Sequence, residues 1–303
     1  MTASPDDRKA AFVEANGIRI CFEALGDPAG EPLLLISGLG GQMINWRDAF
    51  CGGLTGRGFR VIRFDNRDVG LSTHLDGAGV PDPAAVAEAA ARGEPVEVPY
   101  TLEEMAADAA GLLDALEIEA AHVMGSSMGG RIGQHLAVRR PERVRTLTSM
   151  VSHMGEPGFP PPRPEAVALL SRPAPPDREG YVAYSMELSR VLGGRLPLDE
   201  AYASAAAARA YDRAFHPDGV ARQYAAFLGT GGLKEGLRRL EVPTLIVHGS
   251  DDPLISLDAA AAMAEVTPRA ELLVVDGMGH AVNECPAAWP PILDAFTRHA
   301  RKG

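Results

Sequence analysis

Apolar residues fall along this chain in two distinct spacings. Over residues 11–25 apolar and polar positions alternate on either side of Asn16-Gly17, a dipeptide that accepts the positive φ of a tight turn, which predicts an antiparallel hairpin. Beyond the turn-like Gly26-Asp27-Pro28, alternation gives way to short continuous apolar runs at 32–36, 59–64 and 121–124, then at 243–248 and 271–275, with a more polar run at 144–150. A strand apolar at every position needs cover on both faces, so these runs predict a parallel sheet. Helical periodicity fills the gaps at 46–54, 101–116, 131–139, 257–266 and 287–301, and Thr101 with Glu104 forms a capping box at the start of the second. Strands alternating with helices build a mostly parallel, doubly wound α/β sheet, here opened by a hairpin.

One stretch departs from this rhythm. Residues 152–240 hold no strand-like run, only a Pro-rich entry and several Ala-rich amphipathic helical patterns, and the strand pattern resumes at once at Val242. This predicts a helical insertion, 152–240, in an α/β core made of 1–151 and 241–303. A shorter Ala/Pro/Gly-rich segment, 76–99, reads as a loop.

Composition narrows the class. With 303 residues, 46% hydrophobic and 23% charged, the chain has the makeup of a folded globular enzyme. Its 29 basic and 40 acidic residues leave a net charge of −11, which disfavours nucleic acid and anionic membrane surfaces as partners. Cys21, Cys51 and Cys285 are scattered without metal or redox spacing, so reduced structural thiols are expected. The N-terminal MTASPDDRKAAF carries acids where a secretory leader carries bases, and no apolar run reaches membrane-spanning length, so the expectation is a soluble, cytoplasmic protein.

The chemistry concentrates in four segments. Gly125-x-Ser127-x-Gly129 directly follows a predicted strand and precedes a predicted helix, the setting of a strained strand-to-helix turn that lifts a serine hydroxyl above the sheet edge. Small residues two positions either side avoid clashing with that turn, and the helix N-terminus behind it offers free amide donors. A serine hydroxyl needs a base to become a nucleophile at neutral pH. Of the eight histidines, only His280 combines a position at a strand end with glycines on its approach, in Gly277-Met-Gly279-His280, read as a flexible loop. The base in turn needs a carboxylate to hold its tautomer, and Asp252 is preferred to Asp251 in the Gly249-Ser-Asp-Asp-Pro253 turn after another strand. An Asp251/Asp252 metal pair is the rival, disfavoured because no recognised ligand spacing accompanies it. Finally, Ser37-Gly38-Leu39-Gly40-Gly41 follows a buried strand, and the backbone amides of Leu39 and Met128 are the expected oxyanion-binding pair, with Gly38 allowing close approach. The loop lacks the endings of nucleotide-binding glycine loops, and neither cofactor nor metal is expected.

With these motifs in the order Ser, Asp, His, together with Asp65-Asn-Arg67-Asp68-Val-Gly70-Leu-Ser72, the chain resembles the α/β-hydrolase family over nearly its whole length. Asp68 where glycine is usual, GSSMGG and GMGH make it similar to bacterial carboxylesterases related to aclacinomycin methylesterase. Ser37-Gly38 replaces the usual His-Gly, a change that leaves backbone donors in place. The resemblance implies hydrolysis of a small-molecule ester through an acyl-enzyme, and it makes the insertion a cap lining the substrate pocket. A cofactor-free perhydrolase or a carbon–carbon bond hydrolase uses the same triad, and a ligand-binding receptor on this scaffold is the non-enzymatic alternative.

Overall fold

In the computed structural model, residues 10–303 are described; the first nine residues, on which the reading of the N-terminus partly rests, lie outside them. The hairpin forms as the alternation requires: β1 (Ala11–Ala15) and β2 (Ile18–Leu25) pair antiparallel around Asn16 and Gly17, both at positive φ. There follow β3 (Glu31–Ile36), α1 (Asp48–Thr55), β4 (Phe59–Phe64), α2 (Pro83–Ala91), α3 (Leu102–Ala115), β5 (Ala121–Ser126), α4 (Met128–Arg139) and β6 (Val144–Met150). Five helices come next: α5 (Pro164–Leu170), α6 (Arg178–Leu192), α7 (Glu200–Arg213), α8 (Pro217–Gly229) and α9 (Lys234–Leu237). The chain closes with β7 (Thr244–Gly249), α10 (Leu257–Val266), β8 (Ala270–Val275) and α11 (Trp289–Ala300).

The eight strands form one sheet in the order β1-β2-β4-β3-β5-β6-β7-β8, antiparallel at β1/β2 and β2/β4 and parallel from β4 to β8. The period-2 geometry of a strand explains the continuous apolar runs. In β3, Leu34 and Ile36 face a core shared with Leu102, Met105 and Leu113 of α3 and Ile132 of α4, whereas Leu33 and Leu35 face the opposite core with Phe50 of α1 and Ile292 and Phe296 of α11. Both faces are dry, which is why no position in β3 after Pro32 is polar. Cys21, Cys51 and Cys285 are buried thiols.

Three expectations need correction. The segment 76–99 is not a plain loop: Asp82 accepts the Ala84 amide and Pro83 takes the first helical position, so α2 forms there. Helix α4 begins at Met128, three residues earlier than its apolar periodicity indicated, because Gly129 and Gly130 are helical but carry no side chain to register a pattern. Residues 43–45 make a separate 3-10 turn before α1, which starts at Asp48. The predicted capping box does form, with the Thr101 amide donating to the Glu104 carboxylate at 2.7 Å and the Glu104 amide to the Thr101 hydroxyl at 3.4 Å.

Candidate active site

The carboxyl ends of β3, β5, β6 and β7, and the loop after β8, meet at one edge of the sheet. Ser127 occupies the turn between β5 and α4 with φ 55° and ψ −119°, a conformation that costs an L-residue of order 1–3 kcal/mol and persists only where its surroundings enforce it. The surroundings do. The Ser127 amide donates to the Met150 carbonyl at 2.9 Å, and its carbonyl accepts from the Ser152 hydroxyl at 2.8 Å. A Cβ on Gly125 would stand 2.1 Å from the Gly129 carbonyl oxygen, and one on Gly129 would stand 2.2 Å from that of Ile36. Both glycines are therefore required by close backbone approach.

His280 reaches this serine from the loop after β8. Its Nδ1 lies 2.8 Å from Asp252 Oδ2 and its Nε2 lies 3.0 Å from Ser127 Oγ. The Asp252 side chain, fully buried, also accepts the amides of Leu254 and Ile255 through Oδ1, at 2.9 and 3.0 Å. Burial alone would raise its carboxyl, but the charge and hydrogen bond of His280, with help from His248 and the Ile255 amide, hold it net below the ordinary carboxylate range. An ionised Asp252 can only accept, so Nδ1 of His280 carries a proton and Nε2 of the neutral ring is left to accept from the Ser127 hydroxyl. Asp251 points elsewhere, paired with Arg195 at 2.7 Å and with the Ser250 hydroxyl.

The loop that carries His280 is packed closely, not flexible as its glycines suggested. A Cβ on Gly249 would fall 1.9 Å from the Met278 carbonyl oxygen, and one on Gly279 would fall 2.4 Å from the carbonyl carbon of Gly193. The amides of His280 and Ala281 both donate to the Leu192 carbonyl at the end of α6, at 2.7 and 3.2 Å.

On the other side, the loop after β3 abuts the serine: a Cβ on Gly38 would stand 3.2 Å from Ser127 Cβ. The backbone amides of Leu39 and Met128 donate to no other described residue, and the Met128 amide belongs to the first turn of α4, where helix geometry leaves it free. Ser37, in the place of the family's usual histidine, donates to the Gln42 carbonyl at 3.4 Å, and its own carbonyl accepts from Asn66 at 3.1 Å.

Sequence reasoning did not find the contacts that tie the insertion to this edge. Arg213 of α7 pairs with the buried Asp65 at 2.7 Å, and Arg222 of α8 pairs with Asp68 at 2.7 Å with both side chains fully buried. Asp68 adopts φ 69°, which explains why glycine is usual there and why aspartate, a residue that tolerates left-handed backbone, can replace it. His153, beyond β6, was also passed over. Its Nδ1 accepts the Gly155 amide at 3.0 Å, and burial, then the charges of Arg131, His280 and His248, lower its pKa to about 4. The charge pairs had a visible half in the Asp65–Ser72 motif, but their arginine partners lie some 150 residues away, where no local pattern points.

No group of three or more His, Cys, Asp or Glu suited to hold a metal ion occurs among the described residues, and no helix among them is long and apolar enough to cross a membrane.

Against known proteins, residues 31–284 match the family model of the alpha/beta hydrolase fold. The chain is 32% identical to rhodomycin D methylesterase DnrP of Streptomyces peucetius, over 94% of this chain and 95% of that protein. It is 30% identical to 2-hydroxymuconate semialdehyde hydrolase of Pseudomonas sp. strain CF600, over 88% of this chain and 85% of that protein. Among solved structures, the meta-cleavage product hydrolase CumD of Pseudomonas fluorescens IP01 superposes with a TM-score of 0.73 at 21% identity, covering 96% of this chain and 97% of that one.

Proposed function

The chain belongs to the α/β-hydrolase family, and from that premise we propose that it is a serine-dependent carboxylic ester hydrolase. The observation that carries this reading is the unbroken relay from Ser127 Oγ to His280 Nε2 at 3.0 Å and from His280 Nδ1 to Asp252 at 2.8 Å. In the first half-reaction Ser127 Oγ forms a bond to the ester carbonyl carbon, its proton passes to His280, and the carbonyl π electrons move onto oxygen. The amides of Leu39 and Met128 bind that oxyanion, and Asp252 stabilises the imidazolium. Collapse breaks the bond to the alcohol oxygen, which leaves with the proton from His280. Water then attacks the acyl-enzyme with His280 as base, and the carboxylic acid departs with Ser127 restored. Helices α5 to α9 act as a cap that excludes water and shapes the pocket. The resemblance to a methylesterase supports a small-molecule ester as substrate.

A second reading, hydrolysis of a carbon–carbon bond by the same triad, is favoured by the likeness to 2-hydroxymuconate semialdehyde hydrolase. A fluorophosphonate probe followed by peptide mapping, with parallel assays on methyl esters and on a vinylogous β-diketone, tests both. The esterase reading expects label on Ser127 and turnover of the esters alone. Turnover of the diketone without the esters would replace it with the second reading, and absence of label with no turnover of either substrate would refute both.

A further inference from the structure

The loop that presents the Leu39 amide is not held by the core alone. Gly41 donates its amide to the Gly38 carbonyl at 3.1 Å, closing a four-residue turn with Gly40 at its third position and φ 66°, the place and sign that a type II turn reserves for glycine. Because the Gly38 carbonyl faces into the turn, the Leu39 N–H of the same trans peptide faces out, where it is free. The central peptide of such a turn, Leu39–Gly40, can flip between two orientations at little steric cost when its second residue is glycine.

Gln223 of α8, fully buried, closes off that freedom. Its Oε1 accepts the Gly40 amide at 2.9 Å, and its Nε2 donates to the Arg67 carbonyl at 2.7 Å. The second bond fixes which end of the side-chain amide faces the loop. Helix α8 is itself seated firmly: a Cβ on Gly219 would stand 2.0 Å from the Asp68 carbonyl oxygen, one on Gly40 would stand 3.3 Å from the Val220 methyl groups, and Arg222 pairs with Asp68. Val220 and Gln223, three residues apart, share the helix face that meets the loop.

We propose that Gln223 is a positioning residue for the oxyanion loop: by holding the Gly40 amide it keeps the turn in the one form whose Gly41-to-Gly38 hydrogen bond fixes the Gly38–Leu39 peptide, so that the Leu39 amide stays aimed at the reacting oxygen. The inference rests on the esterase reading above. It makes the inserted helices part of the catalytic apparatus at a distance, because the residue that orders the loop enters the chain 183 positions after the glycine it holds.

The test compares Gln223→Met, which keeps the volume and removes both hydrogen bonds, with the wild-type protein on a p-nitrophenyl ester, each normalised by fluorophosphonate titration of Ser127. The expected result is a fall in kcat per titrated site of about 10- to 100-fold, less than the ~10²–10³-fold of deleting an oxyanion donor outright, with KM within about threefold. Inhibition by a trifluoromethyl ketone, which forms the tetrahedral adduct, weakens in parallel. A purely structural role would reduce the number of titratable sites and leave kcat per site alone. Should the methionine variant fail to fold, Gln223→Asn keeps the amide at shorter reach and is expected to show the same split. Unchanged kcat per site, or a rise in KM alone, overturns the inference while leaving the esterase intact. A wild-type protein that neither labels at Ser127 nor cleaves esters removes both.

Discussion

Gly129 and Ile36 approach so closely that a methyl group on the glycine would stand 2.2 Å from the isoleucine carbonyl oxygen. Their contact joins the first turn of α4 to the end of β3, and so sets the distance between Ser127 and the loop that offers the Leu39 amide. Gly129→Ala must push these two elements apart. We expect a loss of ~1–3 kcal/mol in urea unfolding, typical of an overpacked core, together with a fall in kcat larger than any change in KM. Activity and stability both equal to wild type would show that the elbow tolerates a side chain there.

Asp252 sits where it can dictate which nitrogen of His280 carries the proton, since it accepts from Nδ1 at 2.8 Å while two backbone amides occupy its other oxygen. Asp252→Asn preserves the shape but can present an N–H to that nitrogen, leaving Nε2 protonated and unable to take the serine proton. By analogy with other triads kcat should drop by roughly 10⁴-fold. A drop of less than tenfold in a folded variant would assign the supporting role to another group.

The pair formed by Asp68 and Arg222 is wholly buried, and the other carboxylate that reaches Arg222, Asp76 at 3.4 Å, is exposed. Asp68→Asn keeps a residue that tolerates φ 69° and strips only the charge, so it isolates the electrostatic contribution. Leaving the buried guanidinium with the exposed Asp76 as its carboxylate should destabilise the fold by up to ~3–5 kcal/mol, and adding Arg222→Gln should return part of that loss. Additive losses in the double variant, read from urea midpoints, would show that the two charges act independently.

His135 in α4 is buried, and neither ring nitrogen has a hydrogen-bond partner among the described residues. Burial first, then the charges of Arg131 and Arg139, push its pKa from 6.5 down to about 3. Between those values the unfolded chain binds a proton that the folded protein refuses, so stability rises with pH across the window and levels off above about 6.5. The slope per such histidine is ~1.4 kcal/mol per pH unit where the difference is complete. His135→Leu should narrow the gap in unfolding free energy between pH 4.5 and 7.5. An unchanged gap would mean that this ring is not the titrating group.

The sheet was legible because both of its faces are buried: an uninterrupted apolar run such as that ending at Ile36 has few other interpretations. The three residues of the relay were named from their local settings, a glycine-flanked turn for Ser127 and strand ends for Asp252 and His280, and these are the side chains that stand within hydrogen-bonding distance. Local settings also misled. The glycines around Met278 read as flexibility, whereas Gly279 is needed because a Cβ there would stand 2.4 Å from the Gly193 carbonyl carbon, and Gly277 because its φ is 73°. Helix α2 escaped notice because its first turn depends on Asp82 and Pro83 inside a segment whose composition otherwise reads as a loop. The clamps formed by Arg213, Arg222 and Gln223 are long-range pairings, and a single sequence carries no signal for which distant carboxylate or amide a residue will meet.

Hydrolysis of a p-nitrophenyl ester by Ser127→Ala tests the whole account most directly. The folded variant is expected to retain only the residual ~10³- to 10⁴-fold acceleration over water that binding and the oxyanion donors supply, orders of magnitude below wild type. Wild-type rates from that variant, with its fold verified by circular dichroism, would place the nucleophile elsewhere and contradict the mechanism.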